Sequence, residues 1–134
     1  MLDRAYSRML NDHTHGLAAL PMPTEHRIRF MTTSGDADTY GTEAATGGGY
    51  VSGSGAPLLT FIASTDASPT EVVTDDPVNV PTWPRDETLV GLEIWALIAG
   101  TPTRLEFGDF DTPMVMTTGD NAIVDTAALA AALE

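Results

Sequence analysis

The sequence predicts a mainly all-β fold, an antiparallel β-sandwich of about seven to eight strands with a short N-terminal helix. Three observations carry that expectation. From residue 26 onward, polar and apolar residues alternate with period two in several runs. Pro, Gly and Asp turns separate those runs at intervals of roughly 8–12 residues. Nineteen threonines stand against six serines, and a β-branched hydroxyl residue suits the wet face of a pleated sheet. At 134 residues the chain is one domain with a single core.

The elements follow in order. Over residues 2–11, Leu2, Ala5, Tyr6, Met9 and Leu10 recur at helical spacing, with Asp3, Arg4, Ser7 and Arg8 opposite, which predicts a short amphipathic helix. Gly16 and Pro21-Met22-Pro23 make a stiff connector. His26-Arg27-Ile28-Arg29-Phe30-Met31-Thr32 alternates as a half-buried strand does. Residues 34–55 are glycine-rich and loop-like, with Tyr50 and Val51 at the start of a short strand. Further strands are expected at 58–63, 71–74, 78–83, 88–99, 104–110 and 114–118, and the alanine-rich residues 125–134 suit a final helix capped by Asp125 or Thr126. The chain thus divides into residues 1–23, a helix and Pro-rich connector able to act as a docking arm, and residues 24–134, the β-sandwich domain.

Charge sharpens that division. The formal charge is -13, from 6 basic and 19 acidic residues. Residues 1–30 hold four arginines against three carboxylates, +1, so the rest of the chain carries -14. An acidic body argues against nucleic-acid binding, which needs clustered Lys and Arg. With no lysine and no cysteine, a Walker-type phosphate loop, a Schiff-base lysine, a thiol nucleophile, a cysteine zinc site and a disulfide are all excluded. The most apolar stretch, residues 89–99, is broken by Gly91 and Glu93 and falls short of the roughly 18 residues of a membrane span. Asp3 and Asp12 flank Arg4 and Arg8 and no apolar run follows cleanly, so neither a signal peptide nor a membrane association is expected.

Candidate sites each meet a plainer reading. His13, His15 and His26 lack zinc-ligand spacing. Asp36-Ala37-Asp38-Thr39-Tyr40-Gly41 begins like a calcium loop but has Gly47 where the closing glutamate belongs, leaving an Asp/Gly turn. Asp109, Asp111 and Asp120 form at most a loop rim. Gly47-Gly48-Gly49 lacks the residues of a phosphate cradle, and a backbone reason, positive φ or close strand approach, is preferred. No nucleophile elbow selects a serine. Glu93, Trp95 and Leu97 read as an exposed or interface-facing stripe opposite Leu92, Ile94 and Ala96. No catalytic, metal-ligating or cofactor-binding residue is therefore assigned. Leu2, Arg4, Tyr6, Arg8, Met9 and Leu10 are the interaction candidates. Trp83, Trp95 and Tyr40 are stacking candidates for a sugar, against core placement of the tryptophans, which is favoured more for Trp95 than for Trp83 between its two prolines.

The order of several segments adds a resemblance. Thr42-Glu43-Ala44-Ala45-Thr46-Gly47-Gly48-Gly49-Tyr50, then Val78-Asn79-Val80-Pro81-Thr82-Trp83-Pro84, then Val90-Gly91-Leu92-Glu93-Ile94-Trp95, and finally Gly119-Asp120 together resemble a family of small tailed-phage virion surface proteins. Its members are labelled tail fibre, minor tail or head decoration proteins. The likeness spans residues 25–124, with two departures: Met31-Thr32-Thr33-Ser34-Gly35-Asp36 lacks the family's His and Pro, and the end is alanine-rich where a β-branched strand is usual. The resemblance implies a non-enzymatic role on the virion, assembled in the host cytoplasm. Its first form is a capsid decoration protein bound to the phage major capsid protein as a homo-oligomer, a trimer. Its second is a tail fibre or minor tail protein with host glycan binding.

Overall fold

The structure, a computed structural model, describes residues 1–62 and 73–125. Antiparallel strands dominate it, with one short helix: α1 (Arg4–Thr14), β1 (Thr24–Thr33), β2 (Thr42–Glu43), β3 (Phe61–Ile62), β4 (Val73–Thr74), β5 (Val78–Val80), β6 (Glu87–Ile98), β7 (Thr101–Met116) and β8 (Ala122–Val124). A four-stranded sheet runs in the order β2-β1-β6-β7, while β3 pairs with β4 and β5 with β8. The helix expected at the C-terminus falls on residues outside those described, as do parts of the strands expected at 58–63 and 71–74.

The β6–β7 hairpin closes through Ala99 (φ 51°) and Gly100 (φ 79°), with Ile98 opposite Thr101. Two successive positive φ angles give a turn whose twist matches that of the strands. The sequence divides residues 104–118 into two strands; the structure makes them one, β7. Gly91 pairs with Asp109 and Leu89 with Met114, so the ladder slips between them. The surplus residues of β7 form a bulge, and Pro113, which has no N–H to donate, sits inside it. A turn-like sequence therefore needs no chain reversal there.

The larger core joins Ile28 and Phe30 of β1, Leu92 and Ile94 of β6, Val78 and Val80 of β5, and Ala122 and Val124 of β8. At its centre, the rings of Phe30, Tyr50 and Trp83 lie 5.2 to 5.9 Å apart. Such aromatic pairs add about 0.5–1.5 kcal/mol beyond their burial. Trp83 is 0 % exposed and its indole N–H donates to Glu87 Oε1 at 2.8 Å. The Tyr50 hydroxyl donates to Glu43 Oε1 (2.7 Å) and accepts from the Phe30 N–H (3.2 Å). Burial, reinforced by that carboxylate bond, pushes the Tyr50 phenol far above its ordinary pKa.

The glycine triplet has the expected backbone reason. Gly48 holds φ 53°, and a Cβ there would collide with the Thr82 carbonyl; one on Gly49 would collide with the Pro81 carbonyl. Across from it, the Gly119-Asp120 turn brackets Trp83: Gly119 N–H donates to Trp83 O (2.8 Å) and Trp83 N–H to Asp120 O (2.6 Å). Three of the segments that carry the resemblance therefore meet around one tryptophan.

The N-terminal segment lies on the sheet. Leu2 bridges Glu106 at the β7 edge, Asp3 N–H donates to Leu105 O (2.8 Å) and Phe107 N–H to Met1 O (2.9 Å). Asp3 caps α1, accepting from Ala5 N–H (2.8 Å) and Tyr6 N–H (3.2 Å). Tyr6, Met9 and Leu20 then pack on a second cluster, Ala96, Ile98 and Leu105.

Candidate functional site

Cross-strand register assembles a polar face behind the core. Arg29, Glu93 and Phe107 lie opposite one another on β1, β6 and β7, and Arg27, Trp95 and Arg104 do the same one step along. Partners in register share a face, so these side chains gather on one side of the sheet. Three of the chain's six basic residues stand here.

Arg104 is the centre. Its side chain is fully buried, and all five of its N–H donors have acceptors. Nε and one terminal nitrogen reach Asp3 Oδ2 (2.9 and 2.8 Å), another reaches Glu93 Oε2 (2.9 Å) and Thr39 O (3.0 Å), and the last bond goes to Asp36 O. The carboxylates are equally engaged. Glu93 Oε2 also accepts from Gly41 N–H (2.9 Å) and Oε1 from the Trp95 indole N–H (3.1 Å). The guanidinium carbon also lies 4.6 Å from the Phe107 ring and 4.8 Å from the Tyr40 ring. This closed network ties residues 1–3, the loop 34–41, β6 and β7 to one another.

The loop that covers it takes its shape from Asp36, whose Oδ1 accepts from the N–H groups of Asp38 (2.9 Å) and Thr39 (2.7 Å). Those two bonds lower the Asp36 pKa. The calcium-like stretch is thus an Asp turn, as expected.

Next to the cluster opens a cleft of about 90 Å³ lined by Glu25, Arg27, Arg29, Ser54, Trp95, Ala96, Leu97 and Pro102. The Arg29 guanidinium carbon lies over Trp95, 4.0 Å from the ring centroid. Tyr40, 59 % exposed, meets Trp95 edge-on at 4.9 Å.

Two expectations are corrected. Glu93, read as part of an exposed stripe, is 2 % exposed, because Arg104 on the neighbouring strand supplies its counter-charge. Alternation alone marks a face, and the loop 34–41 and Asp3 cover this one. The tryptophans exchange roles: Trp83 is the core residue and is closed to any ligand, whereas Trp95 is part-exposed. Its flanking prolines do not hold Trp83 out, because the glycine triplet and the Gly119 turn close over it. Of the sugar-stacking candidates, Trp95 and Tyr40 stand together.

The interaction candidates separate. Tyr6 and Met9 face the second cluster, Leu10 is part-buried, and Leu2 is 41 % exposed. Arg4 pairs with Asp38 at 2.8 Å on the surface, and with Arg8 it lines a shallow depression beside Tyr40. Burial favours the neutral imidazole of His26 and lowers its pKa; its ring packs edge-on against Phe61 at 5.1 Å. Among the described residues, no group of three or more His, Asp and Glu could hold a metal ion. The sequence signal for the Arg104 cluster was a glutamate between Leu92 and Ile94, since a carboxylate in an apolar strand needs a cation and the chain has few.

Compared with protein-family models, with curated proteins and with solved structures, the chain has no match in any of the three.

Proposed function

We propose that this chain is a structural protein of the bacteriophage virion surface, a capsid decoration protein that binds the major capsid shell as a homo-oligomer. The observation that carries the reading is the use to which the family-like segments are put. Gly47-Gly48-Gly49-Tyr50, Pro81-Thr82-Trp83-Pro84 and Gly119-Asp120 interlock around Trp83 and build the core. The resemblance thus rests on residues that make a fold, which is what kinship by architecture requires. In this reading β1 and β6 on one side and β5 and β8 on the other are the layers of a β-sandwich, since their apolar residues share one core.

The Arg104 cluster supports a structural role. Its donors and acceptors satisfy one another, which makes it a fastener for the N-terminal segment. That segment presents Leu2, Leu17 (76 % exposed) and Met22 (82 % exposed) on its outer side, apolar groups available to a neighbouring subunit or shell. Mixing the purified chain with expanded capsids that lack it tests the proposal. Saturable binding, lost when Leu17 and Met22 are changed to serine, is expected; absence of binding to shells contradicts it.

The alternative, a tail fibre or minor tail protein with host glycan binding, draws on Trp95 and Tyr40 at the surface. A glycan array in which Trp95→Ala abolishes a signal favours it.

A further inference from the structure

We propose that the cleft beside Trp95 receives a single glutamate or aspartate side chain presented by a partner polypeptide, held by Arg29 and Arg27. The inference goes beyond the virion reading, since it concerns the chemistry of a contact and holds wherever the protein resides.

Arg29 is the reason. Its side chain is only 15 % exposed, its guanidinium donates no hydrogen bond among the described residues, and while its Nε is buried without a partner, its two terminal nitrogens reach solvent and are open to a ligand. The nearest carboxylate oxygen, Glu43 Oε2, stands at 4.0 Å, beyond hydrogen-bond reach. Elsewhere on the same face, Arg104 satisfies every donor, so the omission at Arg29 is local. Terminal nitrogens that lack a protein acceptor are free to donate, and a carboxylate accepting two parallel N–H bonds is the group that fits the fork they make. Stacking on Trp95 holds the fork in place before anything binds.

Arg27 stands beside it on the same face of β1. One of its terminal nitrogens is committed to Ala56 O (2.6 Å), and the other is 3.9 Å from Glu25 Oε2. Glu25 is a weak occupant of the rim. It is 56 % exposed in its side chain and holds φ 51° where the β1–β6 register slips. In a chain of -13, two arginines at one opening make a local reversal of charge that an acidic group would complement.

Size and lining narrow the ligand. At about 90 Å³ the cleft has room for a carboxylate and its methylene stem. Trp95, Ala96, Leu97 and Pro102 offer apolar walls to the stem while the two guanidinium groups take the head. A side chain carried on a polypeptide gains further contact outside the cleft, which a free carboxylate cannot.

The test follows the Trp95 indole N–H resonance of the full chain by NMR while titrating acetyl-Gly-Glu-Gly-amide, its glutamine counterpart, propionate and inorganic phosphate. A saturable shift with the glutamate peptide and none with the glutamine peptide is expected. Arg29→Gln and Arg27→Gln weaken binding by about tenfold or more, and Glu25→Gln tightens it by removing the competing carboxylate. If Arg29→Gln fails to fold, the opposite effects of Arg27→Gln and Glu25→Gln carry the test. No saturable shift, equal shifts with the glutamine peptide, or propionate or phosphate binding as tightly as the glutamate peptide would overturn the proposal.

Discussion

Replacing Asp3 by alanine removes two kinds of interaction at once, and their sum can be worked out. The cap bonds to Ala5 and Tyr6 contribute about 1 kcal/mol, the usual cost of an N-cap lost to alanine. Breaking a buried ion pair by deleting one partner costs about 3–5 kcal/mol. Glu93 and two carbonyls remain around Arg104, so the lower end applies. The total is about 4 kcal/mol, a large part of the roughly 5–15 kcal/mol that holds a domain together. Asp3→Asn keeps the cap and removes only the charge, so it should cost about 1 kcal/mol less than Asp3→Ala. Urea unfolding followed by tryptophan fluorescence measures both, with the midpoint falling and the slope unchanged. A loss below about 1 kcal/mol for Asp3→Ala would refute the reasoning, because it would mean that Asp3 is solvated and that residues 1–3 do not lie against β7.

Further expectations follow from single residues. Ala99→Asn should stabilise the chain by about 1 kcal/mol, raising the melting temperature by roughly 4 °C, because asparagine tolerates the positive φ of this hairpin better than alanine; calorimetry showing no rise would contradict the turn geometry. Gly48→Ala and Gly53→Ala both place alanine at positive φ, but only the first meets a backbone oxygen, that of Thr82. Gly48→Ala should therefore lower stability clearly more than Gly53→Ala, and equal losses would rule out the interlocked loops. His26 has its pKa lowered by burial, so the unfolded chain binds its proton more readily. Its contribution is complete above the unfolded pKa of about 6.5 and is lost as pH falls toward the native value. His26→Gln should flatten the stability profile below about pH 6.5, and an unchanged slope would argue against a half-buried imidazole.

Much of the β architecture was legible because it depends on period-two alternation, and β1 and β6 lie within a residue or two of where that pattern puts them. Pairing was less accessible. Asp111-Thr112-Pro113 has turn chemistry, and only the slipped register against β6 shows that the chain continues through it. Glu93 failed for a related reason: a sequence shows which residues share a face, but the burial of this one is decided by Arg104, eleven residues later, and by Asp3 at the other end of the chain. Trp83 was hard to place because its cover comes from two glycine turns: Gly48 approaches the Thr82 carbonyl as only a residue without a Cβ can, and Gly119 holds a positive φ. Asp3 itself looked like part of the polar side of a helix, and its two tasks, capping α1 and pairing Arg104, appear only once residues 1–3 are set along β7.

That placement bears on the docking arm. Residues 1–23 share side chains with the core through Asp3, Tyr6, Met9 and Leu20, so removing them takes away part of the cluster as well as an exposed surface. The proposed role on the virion is tested most directly by cryo-electron microscopy of the intact particle that carries this chain. The account predicts symmetric density for it over the capsid shell, with the exposed side of residues 1–23 at the contact. Density confined to the tail, or a virion without this protein, would contradict it.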